Sequence, residues 1–184
     1  MPPFSPFDEA DCITRAQRGE AAAFAELVAH YQERIYRFLL RMTHSQEDAR
    51  ELAQETFLNA YQALPRWRAD ARWSTWLFRI ARNQALDRLR RARHVQFVPL
   101  DELLTSQLPA STPTPDAALQ ARQRITALET ALAQLSLEHR EILLLRDIED
   151  LSYDDIAQVL GISLGTVKSR IARARAGLLH HMPH

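Results

Sequence analysis

The chain has 184 residues, 46% of them apolar, with 23 basic and 23 acidic side chains, four Gly and one Cys. That apolar content suffices for the cores of two small domains, while the absence of alternating β-branched and aromatic runs between turn signals excludes a strand-rich fold. The single Cys12 rules out an internal disulfide, no Cys/His spacing suits zinc, and no stretch approaches the ~18 uncharged apolar residues of a membrane span.

Taken in chain order, the N-terminal MPPFSPFDEADC is acidic rather than basic-then-apolar, so no secretion leader is expected and a cytoplasmic location follows. Apolar residues at 24, 27, 28, 31, 35, 38 and 39 predict an amphipathic helix. A second helix is expected over about 46–64, with Ala49, Leu52, Ala53, Thr56, Phe57, Ala60 and Leu64 on one face and Pro65 ending it. The loop PRWRADARW leads into a third helix, about 74–91, whose inner face is Leu77, Ile80, Ala81, Ala85 and Leu89. These three helices make a first domain, 1–93.

From 94 to 117 the composition turns to LPASTPTPD, which reads as a flexible linker, although 98–104 has enough apolar residues to pack locally. Its 24 residues reach at most roughly 80 Å, enough to let the two flanking domains stand well apart. A second domain, 118–184, reads as four helices at about 119–134, 138–147, 152–160 and 164–180. The fold class is all-α: two small helical domains.

Zero net charge argues at first against a nucleic-acid partner, but its distribution argues for one. Residues 66–93 hold nine Arg against Asp70 and Asp87, and 166–178 hold Lys168, Arg170, Arg173 and Arg175 with no acid. Acids gather instead in 8–55 and 138–155. Such polarity suits a protein that touches DNA and another protein.

The sharpest local signal is LSYDDIAQVLGISLGTVKSRIARARAGLL. Ser152 and Asp155 form a capping arrangement, Gly161 stands where a tight turn needs a left-handed backbone, and Ser163 caps the next helix. There Val167, Ile171, Ala174 and Leu178 recur at helical spacing, leaving Lys168, Ser169, Ala172, Arg173 and Arg175 outward. A slender cationic helix of this kind enters the major groove as the second member of a helix-turn-helix. A merely solvated face is the bland alternative; the capped first helix, the glycine turn and the missing acids weigh against it.

DARELAQETFLNAYQAL, STWLFRIARNQALDRLRR and LSLEHREILLLRDIEDLSYDDIAQVLGISLGTVKSRIARAR together resemble regions 2 and 4 of extracytoplasmic-function sigma factors. The resemblance implies a non-enzymatic initiation factor that binds core RNA polymerase and directs it to promoters, in the setting of a stress response. Region 4 would read the -35 element: Lys168, Ser169 and Arg173 at or near bases, Arg170 and Arg175 on phosphates, with Thr166 and Ala172 in the same helix. Region 2 would dock on the polymerase β′ coiled coil through Asp48, Glu51, Gln54, Glu55 and Asn59, and the β flap is expected to take region 4. The loop and helix carrying Arg66, Trp67, Arg68, Arg72, Trp73, Trp76, Arg79 and Asn83 would capture an unstacked -10 base and hold the displaced strand. Their mixture of indole rings and guanidinium groups suits single-stranded DNA, although Trp73 and Trp76 read equally well as core. Asn83 is the leading candidate for a -10 base edge.

Two departures stand out. Where housekeeping relatives carry a tryptophan pair that wedges the duplex, this chain has Trp76-Leu77, implying weaker melting and stricter promoter choice. Trp67 and Ala69-Asp70-Ala71 replace the phenylalanine and glycine or aspartate frequent in the capture loop. An anti-sigma partner is also implied, and through it a tether at the membrane face. No cofactor, metal or small-molecule substrate is expected; His180, His181 and His184 read as a polar tail. The competing reading is a repressor or activator using the same helix-turn-helix without polymerase. An enzyme has no support, because no phosphate-binding glycine loop, GxSxG or HExxH occurs.

Overall fold

The structure, a computed structural model, describes residues 7–92 and 115–182. The expected linker lies almost wholly outside these residues, as do the segment 98–104, His94 and His184. Among the described residues there are eight α-helices and no strand.

The first domain has four helices rather than three. Helix α1 (Glu9–Gln17) is capped by Asp8, whose carboxylate accepts from the Asp11 amide, and buries Cys12, Ile13 and Ala16. Helix α2 (Ala21–Thr43) buries Leu27, Tyr31, Ile35, Phe38, Leu39 and Met42, and α3 (Gln46–Ala63) packs along it through Ala49, Leu52, Thr56 and Ala60. Between them His44 takes a left-handed conformation (φ 55°), and Ser45 caps α3 by accepting from the Asp48 amide. A 3-10 turn (Leu64–Arg66) built on Pro65 follows α3, and α4 (Trp73–Ala92) closes the core with Trp73, Leu77, Phe78, Ala81 and Ala85.

In the second domain α5 (Pro115–Gln134) starts a turn earlier than expected. Arg140 on α6 (Leu137–Leu143) donates to the carbonyls of Leu132, Ala133 and Leu135, satisfying the open end of α5 with a buried guanidinium. The helix expected over 138–147 does not run on regularly. It widens into a π turn (Leu144–Ile148), with Glu149 N–H reaching Leu144 O, and Asp150 turns left-handed (φ 54°). Helices α7 (Tyr153–Leu160) and α8 (Leu164–His181) flank Gly161, whose φ of 66° is the left-handed turn expected of it.

The domains pack on each other: α4 lies against α7 and α2 touches α6. One continuous buried apolar cluster runs through both. Around it Arg34 pairs with Glu149 (2.8 Å), Arg41 with Glu129, and Arg82 with Glu141 (2.9 Å), while Thr75 Oγ1 donates to Asp155 (2.7 Å). Glu141 and Glu149 are almost fully buried, so each depends on its arginine to offset the loss of hydration.

His44 stands at this junction. Burial, and secondarily the nearby Arg140 guanidinium, hold its pKa down at about 4, against an opposing pull from Glu129. The unfolded chain therefore binds the extra proton between its ordinary 6.5 and about 4. Stability is full above that window and falls as pH drops through it. His44→Asn, which still tolerates the left-handed backbone, is expected to flatten the decline of Tm between about pH 7 and pH 5; a circular-dichroism series with the parent's slope contradicts this.

Candidate nucleic-acid interface

Helix α8 is held by Val167, Ile171 and Ala174, each at most 2% exposed. Complete burial of side chains such as Val167 and Ile171 stabilises by about 1.5–3 kcal/mol each. Ser163 fixes its first turn by accepting from the Thr166 amide at 3.2 Å, with the Thr166 hydroxyl 2.8 Å away. The side chains this leaves outward, Lys168, Ser169, Ala172, Arg173 and Arg175, are all exposed, and Thr166 is half-buried.

The cations of α8 fall into two kinds. Lys168 and Arg173 meet no acid among the described residues; Arg173 lies along the helix with its guanidinium on the Ser169 carbonyl and hydroxyl (3.3 and 3.2 Å). Arg170 instead turns inward, 19% exposed, toward Glu138 at 3.5 Å and Glu141 at 4.0 Å. Asp147 receives Arg175 (Nε to Oδ2 3.1 Å) and raises its pKa. A phosphate must compete with these carboxylates for Arg170 and Arg175, but not for Lys168 and Arg173.

A second cationic face lies at the α3–α4 corner. Trp67, Trp73 and Trp76 form an aromatic cluster with ring centroids 4.9–6.2 Å apart. Trp73 is core, 1% exposed, and its indole N–H has no partner among the described residues; Trp67 and Trp76 are half-buried. Leu77, the second member of the Trp76-Leu77 pair, is wholly buried. Arg66 and Arg68 flank Trp67 in the chain, Arg72 precedes Trp73, Arg79 and Asn83 lie about one and two turns beyond Trp76 on α4, and all five are exposed. Arg72 approaches Asp155 at 4.0 Å yet keeps 74% of its side chain in solvent. The arrangement offers π-faces edged by cations and an amide, the combination that holds unstacked bases.

A third surface runs along α3. Gln54, Glu55 and Asn59 are exposed, while Asp48 and Glu51 are both gripped by Arg88 of α4. Sequence reasoning missed that Leu58 and Tyr61 stand among them, 56% and 45% exposed. The available signal was that neither falls on the 49-52-56-60 inner repeat. It also missed Gln17, whose amide reaches the α3–α4 corner from α1. Among the described residues no three His, Cys, Asp or Glu side chains gather to hold a metal, and no helix is long and apolar enough to cross a membrane.

Comparison with known proteins matches both halves. Residues 27–95 fit the family model for Sigma-70 region 2, and 125–178 that for Sigma-70, region 4. Over 177 residues the chain is 36% identical to the RNA polymerase sigma-H factor of Pseudomonas aeruginosa, covering 90% of this chain and 89% of that one. It is 32% identical to the ECF RNA polymerase sigma factor SigW of Bacillus subtilis, covering 90% and 92%. Among solved structures it resembles CnrH in complex with the cytosolic domain of CnrY (TM-score 0.68, 26% identity, 94% of this chain and 95% of that). It also resembles the sigma factor RpoE in complex with the anti-sigma factor NepR from Bartonella quintana (TM-score 0.69, 26% identity, 86% and 95%).

The two kinds of α8 cation separate in a melting experiment. Arg170→Ala removes one of the two cations near buried Glu141 and is expected to cost about 1–3 kcal/mol, lowering Tm by roughly 3–8 °C. Lys168→Ala and Arg173→Ala should stay within about 2 °C of the parent. Equal melting of all three removes the distinction.

Proposed function

The chain belongs to the extracytoplasmic-function group of the sigma-70 family, transcription initiation factors rather than enzymes, and from that premise we propose how its surfaces divide the work. Residues 1–93 act as region 2 and 118–184 as region 4, with 94–117 joining them. Helix α8 reads the -35 element in the major groove, Lys168, Ser169 and Arg173 at base edges or the phosphates beside them, and Thr166 and Ala172 lining the approach. Arg170 and Arg175 reach phosphates only by exchanging Glu138, Glu141 and Asp147 for DNA; otherwise they orient the helix. The single observation that carries this reading is an acid-free cationic face, Lys168 with Arg173, on the second helix of a capped helix-turn-helix.

The α3–α4 corner takes the -10 element. Trp67 and Trp76 supply stacking surface, Arg66, Arg68, Arg72 and Arg79 hold the displaced strand, and Asn83 reads a base edge. With Leu77 wholly in the core, the position after Trp76 offers no side chain to the duplex, which supports weaker melting. Asp48, Glu51, Gln54, Glu55 and Asn59 form the face for the β′ coiled coil of core polymerase, widened by apolar Leu58 and Tyr61. The β flap takes region 4.

Because the DNA faces belong to domains packed on each other, reaching two separated elements involves release of the α4–α7 contact. The two structural relatives above are complexes, one with an anti-sigma factor and one with a cytosolic domain. An anti-sigma partner for this chain, gripping it in the packed arrangement, fits that likeness, and the working compartment is the cytoplasm. A repressor acting without polymerase is not favoured, since both domains match a polymerase subunit.

Footprinting with holoenzyme tests the assignment. Lys168→Ala and Arg173→Ala should each weaken -35 occupancy about three- to tenfold and lower the salt slope by about one. Asn83→Ala should reduce strand opening about tenfold while leaving assembly with core polymerase unchanged. Parent-like footprints for the first pair, or failed assembly for the third, overturn the respective roles.

A further inference from the structure

The loop between the 3-10 turn and α4 carries Trp67 with Arg66 and Arg68, and the inference here rests on reading it as the base-capture loop. Its own backbone supplies one turn bond, Trp67 N–H to Leu64 O at 3.1 Å. A further tie comes from the other end of the domain. Gln17, the last residue of α1, donates its side-chain amide to Leu64 O (3.2 Å) and Trp67 O (3.0 Å), 47 and 50 residues away. A primary amide carries two protons and so serves both carbonyls at once. The pair brackets Arg66 and fixes the peptide on the C-terminal side of Trp67.

We propose that Gln17 is a positioning residue for base capture: its amide locks the two carbonyls, Leu64 O and Trp67 O, that set the direction of the Trp67 ring before DNA arrives. The benefit is preorganisation, since a loop ordered in advance loses less freedom when the strand binds. Gln17 is itself exposed, so its bonds compete with water and contribute little to folding. Helix α1 is seated independently by buried Cys12, Ile13 and Ala16 and by Arg15, which pairs with Glu20 at 2.9 Å and Glu26 at 3.5 Å. Removing the amide therefore frees the loop without undocking the helix. The effect is read in DNA binding, and in stability by no more than the same small amount.

The test uses the full chain assembled with core RNA polymerase and a fluorescein-labelled single strand from the -10 region of a promoter that the parent holoenzyme opens. An abasic scan of that strand locates the captured base. Gln17→Met keeps the length and loses both donors; Gln17→Glu keeps the shape and sets carboxylate oxygens against the carbonyls. Each is expected to bind the intact strand about fivefold more weakly, with Tm lowered by no more than about 4 °C. Neither should differ from the parent on the strand abasic at the captured position, and Gln17→Met should add nothing in a Trp67→Ala background. Parent-like affinity of both Gln17 variants, with Trp67→Ala weakened, overturns the role of Gln17 and leaves the capture loop standing. A Tm lowered by more than about 4 °C, or additive losses in the double variant, overturns it as well by making Gln17 structural or independent of Trp67. If Trp67→Ala binds like the parent, the capture reading falls and takes the inference with it.

Discussion

Glu141 and Glu149 sit in the second domain with almost no access to water, and each is met by an arginine of the first, Arg82 and Arg34. A carboxylate stripped of hydration is tolerable only while its partner is in place, and burial pushes the Glu149 carboxyl upward even with Arg34 beside it. The packed arrangement of the two domains is conditional on these pairs. Helix α4 bears the consequence, because its turns serve three neighbours at once. Leu77, Ala81 and Ala85 fill the core, Thr75 and Arg82 engage the second domain, and Arg79 and Asn83 remain on the outside. A helix so occupied can present its outer residues at a defined angle, which is what reading an opened strand demands.

The helix-turn-helix shows the same economy. Asp155 caps α7 through Ser152 and also accepts from Thr75 of the other domain, and these hydrogen bonds hold its carboxyl below the ordinary carboxylate range despite an opposing desolvation. The acid that fixes the start of the helix-turn-helix is thus one of the contacts that closes the molecule. Acids of α6 and the π turn claim Arg170 and Arg175 of α8 and leave Lys168 and Arg173 to whatever approaches from solvent.

Much of this was legible in the sequence. Periodicity located α2, α3, α4 and α8 to within a few residues, and the Ser152, Gly161 and Ser163 signals located the turn of the second domain, because each element follows from local chemistry. Helix α1 escaped since it is short and two of its three inner residues are Cys12 and Ala16, weak markers of an apolar face. The π turn after Leu143 escaped because the apolar run 142–145 reads equally well as a regular helix. The largest gap concerned charge. In the sequence the acids of 138–155 suit contact with a protein partner, yet Glu141, Glu149 and Asp155 face the first domain and Asp147 serves Arg175. A pattern in one dimension treats every carboxylate as exposed, and only the fold reveals which have a guanidinium waiting. Gln17 was invisible for the same reason: its partners are main-chain carbonyls some fifty positions away.

Promoter-selective initiation by two separate DNA faces is the central claim. The most direct measurement is run-off transcription over a promoter library, comparing bacterial core RNA polymerase alone with core supplied with this chain. The account predicts RNA chains starting at a small set of discrete sites that share upstream elements and appear only when the chain is present. Start sites as scattered as those of core polymerase by itself would contradict it.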